Sequence, residues 1–226
     1  AESMPAPVHP KMKSDLDPRF ASLGKNLRYQ FTHNYAPGEP LRRGTKLVNT
    51  RLYRIATDQK IFTYREKRKA IGKDYEIIIL MDCSGSMWSN GKIFKALESG
   101  IAAWWSLRRA RVDCMLLGHT SNGFKSAGEE GPLVYEFGST KTPLAETQSR
   151  GGSFLDRYSG LTCNNYDGFA LLEAVKRFSD RPTKKWLIHI SDGQPAGKGY
   201  SGEKAIIHTA AQVDKIRRQG IDVVSL

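Results

Sequence analysis

The chain has 226 residues, 39% of them hydrophobic, and a formal net charge of +12. That length allows one large domain with a sizeable core plus an extension. No apolar run approaches the roughly 20 residues of a membrane span and no signal-peptide pattern is legible. Three scattered cysteines make neither a zinc pattern nor an even disulfide set, so a reducing, cytoplasmic setting is expected.

The positive excess falls mostly on residues 1–74, while residues 75–226 are nearly balanced. Residues 1–40, rich in Pro, Lys and Asp at their start, read as an extended or disordered arm, with a short strand or arm at 27–33. Residues 41–74 read as a basic lead-in that packs on the following domain. Leu47, Leu52 and Ile55 have helical spacing there, and Lys60 to Arg65 alternates as a half-buried strand does. Arg65-Glu66-Lys67-Arg68-Lys69 is a charged tip suited to an acidic protein or nucleic acid, or to plain solvation.

From Tyr75 the pattern becomes strand–helix alternation. Strands are expected at Ile77–Met81, Val112–Gly118, Trp186–Ile190 and Ile221–Leu226. A short strand, with an antiparallel run open to it, is expected at Leu133–Phe137. Helices are expected at Ile93–Arg109, Gly168–Phe178 (with Phe169, Leu171, Leu172, Val175 and Phe178 mostly on one face) and Glu203–Gln219, which Gly220 terminates. Residues 140–158 read as an insertion without clear periodicity. The expected fold class is therefore α/β: a doubly wound, mostly parallel sheet with helices on both faces, over residues 75–226. A fold of this class normally continues beyond its fifth strand, so a C-terminal truncation is expected.

The chemistry gathers where the first strand ends. Ile77-Ile78-Ile79-Leu80-Met81 runs into Asp82-Cys83-Ser84-Gly85-Ser86-Met87. Ligands of open α/β sheets collect at such carboxyl ends. A carboxylate and two hydroxyls aimed at one point are hard oxygen donors of the kind that suits Mg²⁺. The competing reading is a helix cap at Asp82 with the serines filling a turn. A second acid, Asp192, follows another strand in Ile190-Ser191-Asp192-Gly193 and favours the metal.

Asp-x-Ser-Gly-Ser-Met after a buried strand resembles the metal-ion-dependent adhesion site of von Willebrand factor A (VWA) domains, which have a Rossmann-like fold. The resemblance implies three ligand loops. The first supplies Asp82, Ser84 and Ser86, and the third supplies Asp192. In the second, alignment on Gly168, Ala170 and Leu171 puts Asn165 where the family has threonine, and Thr162 or Asp167 remain alternatives. Asp167 is expected to cap the next helix or to contact a metal-bound water. The implied ion is Mg²⁺, or another divalent cation such as Mn²⁺ or Ca²⁺.

Asn165-x-Asp167-Gly168-x-Ala170-Leu171, Arg181-Pro182-x-x-Lys185 and Ile190-Ser191-Asp192-Gly193-x-Pro195, with Asn49-Thr50-Arg51-Leu52 upstream, resemble the VWA subunit of aerobic cobaltochelatase. That family works with an AAA+ ATPase of the MoxR type, and its chelatase activity resides in another subunit. The resemblance implies a non-catalytic adaptor whose metal takes a partner carboxylate. The alternative is a VWA interaction protein of a virion or nucleic-acid complex, with the basic extension as second contact. Enzyme chemistry has little support in the residues. No Gly-x-Ser-x-Gly elbow surrounds a serine, no phosphate-binding Gly-x-x-x-x-Gly-Lys-[Ser/Thr] is present, and no general base stands beyond the ligands. His189 reads as a satisfied core histidine, His119 as a polar group near the site rim, and Cys83 and Cys163 as packing groups.

Overall fold

A computed structural model describes residues 75–121, 131–158 and 163–226, together with the backbone of two short strands, β1 (Lys46–Leu47) and β2 (Phe62–Thr63). These two pair antiparallel, with Leu47 opposite Phe62. Leu47 thus lies in a strand, not in the helical pattern that its spacing with Leu52 and Ile55 suggested. The arm at 1–40, the charged tip at 65–69, the Asn49–Leu52 motif and Thr162 lie outside the described residues.

The main sheet has five strands: β3 (Tyr75–Asp82), β4 (Asp113–Ser121), β5 (Pro132–Gly138), β6 (Lys184–Ile190) and β9 (Ile221–Ser225). Their spatial order is β5-β4-β3-β6-β9, with β5 antiparallel to β4 and the other neighbours parallel. The chain leaves β3 first toward β4 and later returns to lay β6 on the opposite side. The carboxyl end of β3 is therefore the point where the strand order reverses, and a crevice opens there.

Strand β3 is buried on both faces because helices cover both. Ile77, Ile79, Met81 and Cys83 face one layer. That layer is α2 (Lys92–Arg109), whose Ile93, Leu97, Ile101, Trp104 and Leu107 recur at helical spacing, and α3 (Leu144–Tyr158). Ile78 and Leu80 face α4 (Asp167–Val175) and α5 (Gly202–Arg218), through Ala170, Leu171, Ala174 and Ile216. By alternation Asp82 points to the α4 side, as Leu80 does. The mostly parallel, doubly wound α/β architecture is the expected one.

Three local differences have physical causes. Helix α3 lies within the segment read as an insertion without clear periodicity. The face it buries carries Thr147, Gly151, Gly152, Phe154, Leu155 and Tyr158, so half of its inward positions are not apolar. Gly151 allows a close approach there, since a Cβ would lie 3.0 Å from Leu97 Cδ2 on α2 and the leucine would have to give by a few tenths of an ångström. The serine loop is also more ordered than a turn. Gly85–Trp88 forms a single helical turn, α1, with Ser84 at its N-cap position, and a 3₁₀ turn at Ser89–Gly91 leads into α2. In α4, Phe169 is 41% exposed and packs in tilted ring contacts with Tyr200 and His208 rather than joining the core. A short hairpin of β7 (Ala196–Gly197) and β8 (Tyr200–Ser201) precedes α5.

The outer end of β3 is pinned separately. Glu76 accepts hydrogen bonds from the Ser179 backbone N–H (3.0 Å) and hydroxyl (2.8 Å) and from Thr183 Oγ1 (3.3 Å). This ties the α4–β6 connection to the sheet.

Ile79 is 1% exposed at the sheet centre and Ile207 is 60% exposed on α5. Ile79→Ala is expected to cost about 2–5 kcal/mol in urea unfolding, from lost transfer energy plus the cavity left behind. Ile207→Ala should stay within about 0.5 kcal/mol of wild type. Similar effects at the two positions would contradict the packing described.

Candidate metal centre

Asp82 is fully buried at the end of β3, and three donors from three segments hold it. Its Oδ1 accepts the Ser84 backbone N–H at 2.8 Å. Its Oδ2 accepts Asn165 Nδ2 at 2.8 Å and Ser191 Oγ at 3.1 Å. The loops are also joined through their backbones. Gly85 N–H donates to Cys163 O at 2.7 Å, and Asn165 and Ala196 exchange N–H···O bonds of 2.7 and 3.2 Å. The first, second and third loops of the expected site thus form one continuous hydrogen-bonded layer over the sheet ends.

Above this layer is a cavity of about 470 Å³, lined by Ser84, Ser86, Lys92, Asn165, Asp192 and Gln194 among others. The Ser84 and Ser86 hydroxyl oxygens are 3.1 Å apart. Lys92 Nζ stands 3.5 Å from Asp192 Oδ2. Asn165 Oδ1 is buried and has no hydrogen-bond partner. Of the six residues named from sequence, four line this cavity, and Asp82 lies beneath, bonded to Asn165.

The sixth, Asp167, is placed differently from a helix cap. Tyr166 occupies the N-cap position of α4, and Asp167 is in its first turn. The Asp167 carboxylate is buried, and its Oδ1 makes no hydrogen bond. That oxygen faces two imidazoles instead, 3.6 Å from His119 Nε2 and 3.8 Å from His189 Nε2. The two Nε2 atoms are 3.2 Å apart. His119 is paired with Asp82 across β3–β4, and His189 with Leu80 across β3–β6, which puts both on the α4 face. Reading each strand alone treated His119 as a rim group and His189 as a satisfied core residue. Their meeting follows from strand register, which only the sheet supplies.

Burial sets the protonation states. It holds both imidazoles below their ordinary range, against the pull of Asp82, with His189 lowered to about 3. Both are therefore neutral near pH 7. Burial also raises the Asp167 carboxyl to about 7, and the charges of Asp82 and Asp192 add to this while the Asn165 amide opposes it. The buried Cys83 thiol is pushed well up, first by burial and then by Asp82, so it is a packing group and not a nucleophile.

No family model matches the chain. Over 184 residues it is 24% identical to the uncharacterized protein YojO of Bacillus subtilis (strain 168), covering 79% of this chain and 27% of YojO. Among solved structures it is similar to the pilus adhesin SpaC of Lactobacillus rhamnosus GG, with a TM-score of 0.50 and 16% identity, over 68% of this chain and 24% of that one. It is also similar to the VWA domain of SpRpn10, with a TM-score of 0.42 and 15% identity, over 67% and 73% of the two chains. The chain spans about a quarter of the length of YojO and of SpaC. The likeness to solved structures is one of fold alone, a mostly parallel α/β sheet covered by helices on both faces.

The raised Asp167 value has a pH consequence. A carboxyl moved from 3.8 to about 7 by folding favours its protonated form in the fold. Each rise in pH between those values therefore costs the metal-free protein stability, and the cost is complete above pH 7. Asp167→Asn should raise the thermal midpoint at pH 8 in chelator and leave it level or lower at pH 4. Parallel midpoint-against-pH curves for the two proteins would contradict this charge arrangement.

Proposed function

We propose that this chain is a divalent-cation-dependent protein-binding module, a non-catalytic VWA adaptor that presents Mg²⁺ to a carboxylate of its partner. Ser84, Ser86, Asn165 and Asp192, with Asp82 behind them, would hold the ion. The observation that carries this reading is their convergence on one cavity at the sheet's reversal point.

The donor set fits. Adjacent ligands of an octahedral ion at about 2.1 Å lie roughly 3 Å apart, and the two serine hydroxyl oxygens are 3.1 Å apart. Asn165 Oδ1 is a buried oxygen lacking a donor, an arrangement that costs about 1–3 kcal/mol unless a cation or water satisfies it. Asp82 is fixed by three hydrogen bonds, so it is preorganised and need not rearrange to serve the site. When bound, Mg²⁺ would leave its charge only partly neutralised by these mostly neutral donors and would attract an anionic oxygen. Lys92, against Asp192, adds positive charge at the same rim. Among the described residues lining the cavity, none pairs a nucleophile with a base, which favours binding over catalysis.

The partner follows from the resemblance in Asn165-x-Asp167-Gly168-x-Ala170-Leu171 and the strand-end Ser191-Asp192-Gly193. It is an AAA+ ATPase of the MoxR type, in a cytoplasmic cobaltochelatase-like or remodelling complex. Among the described residues no helix is long and apolar enough to cross a membrane.

The test is affinity capture with the tagged chain in Mg²⁺ and in EDTA, using wild type and Ser86→Ala. Ser86 is exposed, so its loss should leave the fold intact. An AAA+ ATPase recovered by wild type in Mg²⁺, and lost in EDTA and with Ser86→Ala, is the expected outcome. Recovery indifferent to both changes would overturn the metal-bridged contact.

A further inference from the structure

Beneath the hydroxyl-lined cavity lies a second donor cluster of different chemistry. His119 on β4, His189 on β6 and Asp167 at the start of α4 come together on one face of the sheet. We propose that these three side chains form a buried site for a transition-metal ion of the Zn²⁺ class, distinct from the Mg²⁺ cavity above it.

Geometry is the first argument. The three donor atoms form a triangle with sides of 3.2, 3.6 and 3.8 Å. The point equidistant from its corners lies about 2.1 Å from each, which is the length of a Zn–N or Zn–O bond. An ion in or just above that plane meets all three donors without moving the backbone. Hydrogen bonding alone leaves the arrangement incomplete. One Nε2–H can serve the other Nε2 at 3.2 Å, but at 3.6 and 3.8 Å neither imidazole reaches Asp167 Oδ1.

The unpartnered Asp167 Oδ1 is the second, independent observation. This carboxylate oxygen is buried, aimed at two imidazoles and bonded to nothing. Leaving it so is costly, and a cation is the simplest group that satisfies it along with two nitrogen lone pairs. The three residues are 0%, 5% and 3% exposed, for His119, His189 and Asp167 respectively.

Donor type selects the ion. Two imidazoles with one carboxylate suit Zn²⁺, Co²⁺, Ni²⁺, Cu²⁺ or Fe²⁺, whereas Mg²⁺ prefers an all-oxygen shell. The rigidity of the cluster favours selectivity. Two donors project from strands locked to β3 in register, and the third comes from a helix whose Ala170 and Leu171 are packed into the core. Asp167 is the only residue common to this set and the six named from sequence, and Ser86 belongs to the upper cavity alone. The two sites can therefore be separated by mutation.

The experiment is a titration of metal-free full chain with Co²⁺ in millimolar Mg²⁺, followed by visible absorption. One equivalent should bind with the d–d bands of an imidazole-containing site, and stoichiometric Zn²⁺ should displace it. His189→Gln and His119→Gln should each weaken binding by at least the roughly 10–100-fold that loss of an outer-shell partner costs. Ser86→Ala should leave it unchanged, even if it abolishes Mg²⁺-dependent capture. X-ray absorption of the Zn²⁺-loaded wild type should count two imidazole nitrogens, which keeps the test decisive if a histidine variant fails to fold. Absence of Co²⁺ binding in Mg²⁺, or a bound ion with an all-oxygen shell that Ser86→Ala removes, would overturn the proposal. The cluster would then be a metal-free imidazole pair beside Asp167.

Discussion

The buried carboxylate of Asp82 sets the design of this end of the molecule. Placed at the end of a strand with neighbours on both sides, it has no access to water and must find its partners within the protein. It finds them in three different segments: the Ser84 backbone, the Asn165 amide and the Ser191 hydroxyl. Removing any one leaves a buried charge short of a donor, which is more costly than the modest net gain of an ordinary surface hydrogen bond. The three loops are therefore fixed relative to one another by the need to solvate a single side chain, and the cavity above them inherits that order.

The two donor groups at this end differ in both chemistry and depth. Hydroxyl, amide and carboxylate oxygens surround the upper cavity, which exposed Ser86 borders. Nitrogen donors lie below, in two imidazoles that burial keeps uncharged. The charges of Asp82 and Asp192 both act on the Asp167 carboxyl, and Lys92 is a basic side chain within ion-pairing distance of Asp192. Positive charge brought to either level relieves the same repulsion. The two levels are thus electrostatically linked even though their donors are distinct.

Much of the architecture could be read from the chain because its signals are local. Ile77–Met81 is a continuous apolar run of strand length, and Ile93 to Leu107 carries a broad helical stripe. Both are read without knowing what they pack against. The loop residues Asp82, Ser84, Ser86 and Asp192 were legible because each follows, or lies just beyond, such a strand. Asn165 depended on aligning the small residues Gly168 and Ala170, and it does line the cavity. What could not be read was what depends on partners. Helix α3 hides its inward face behind Thr147, Gly151 and Gly152, and the value of Gly151 lies in close approach to Leu97 of α2 and not in hydrophobicity. The direction of Asp167, and the meeting of His119 with His189, depend on registers between strands about 70 residues apart in sequence. A histidine at the end of each of two strands flanking the Asp82 strand is the signal that would have revealed them, once the order β4-β3-β6 was assumed.

The Asp82–Ser191 hydrogen bond joins positions 109 residues apart. The Asn165–Ala196 bridge closes the same layer from the other side. Contacts of such long range form only after large loops have closed, so they come late in folding relative to helices and hairpins. During synthesis from the N-terminus, the Asp-x-Ser-x-Ser segment is made early but lacks its second and third loops until β6 and the following hairpin have left the ribosome. A chain interrupted before Ala196 therefore has the motif without the cavity. Possession of the complete cavity marks a molecule whose sheet has been laid down on both sides of β3.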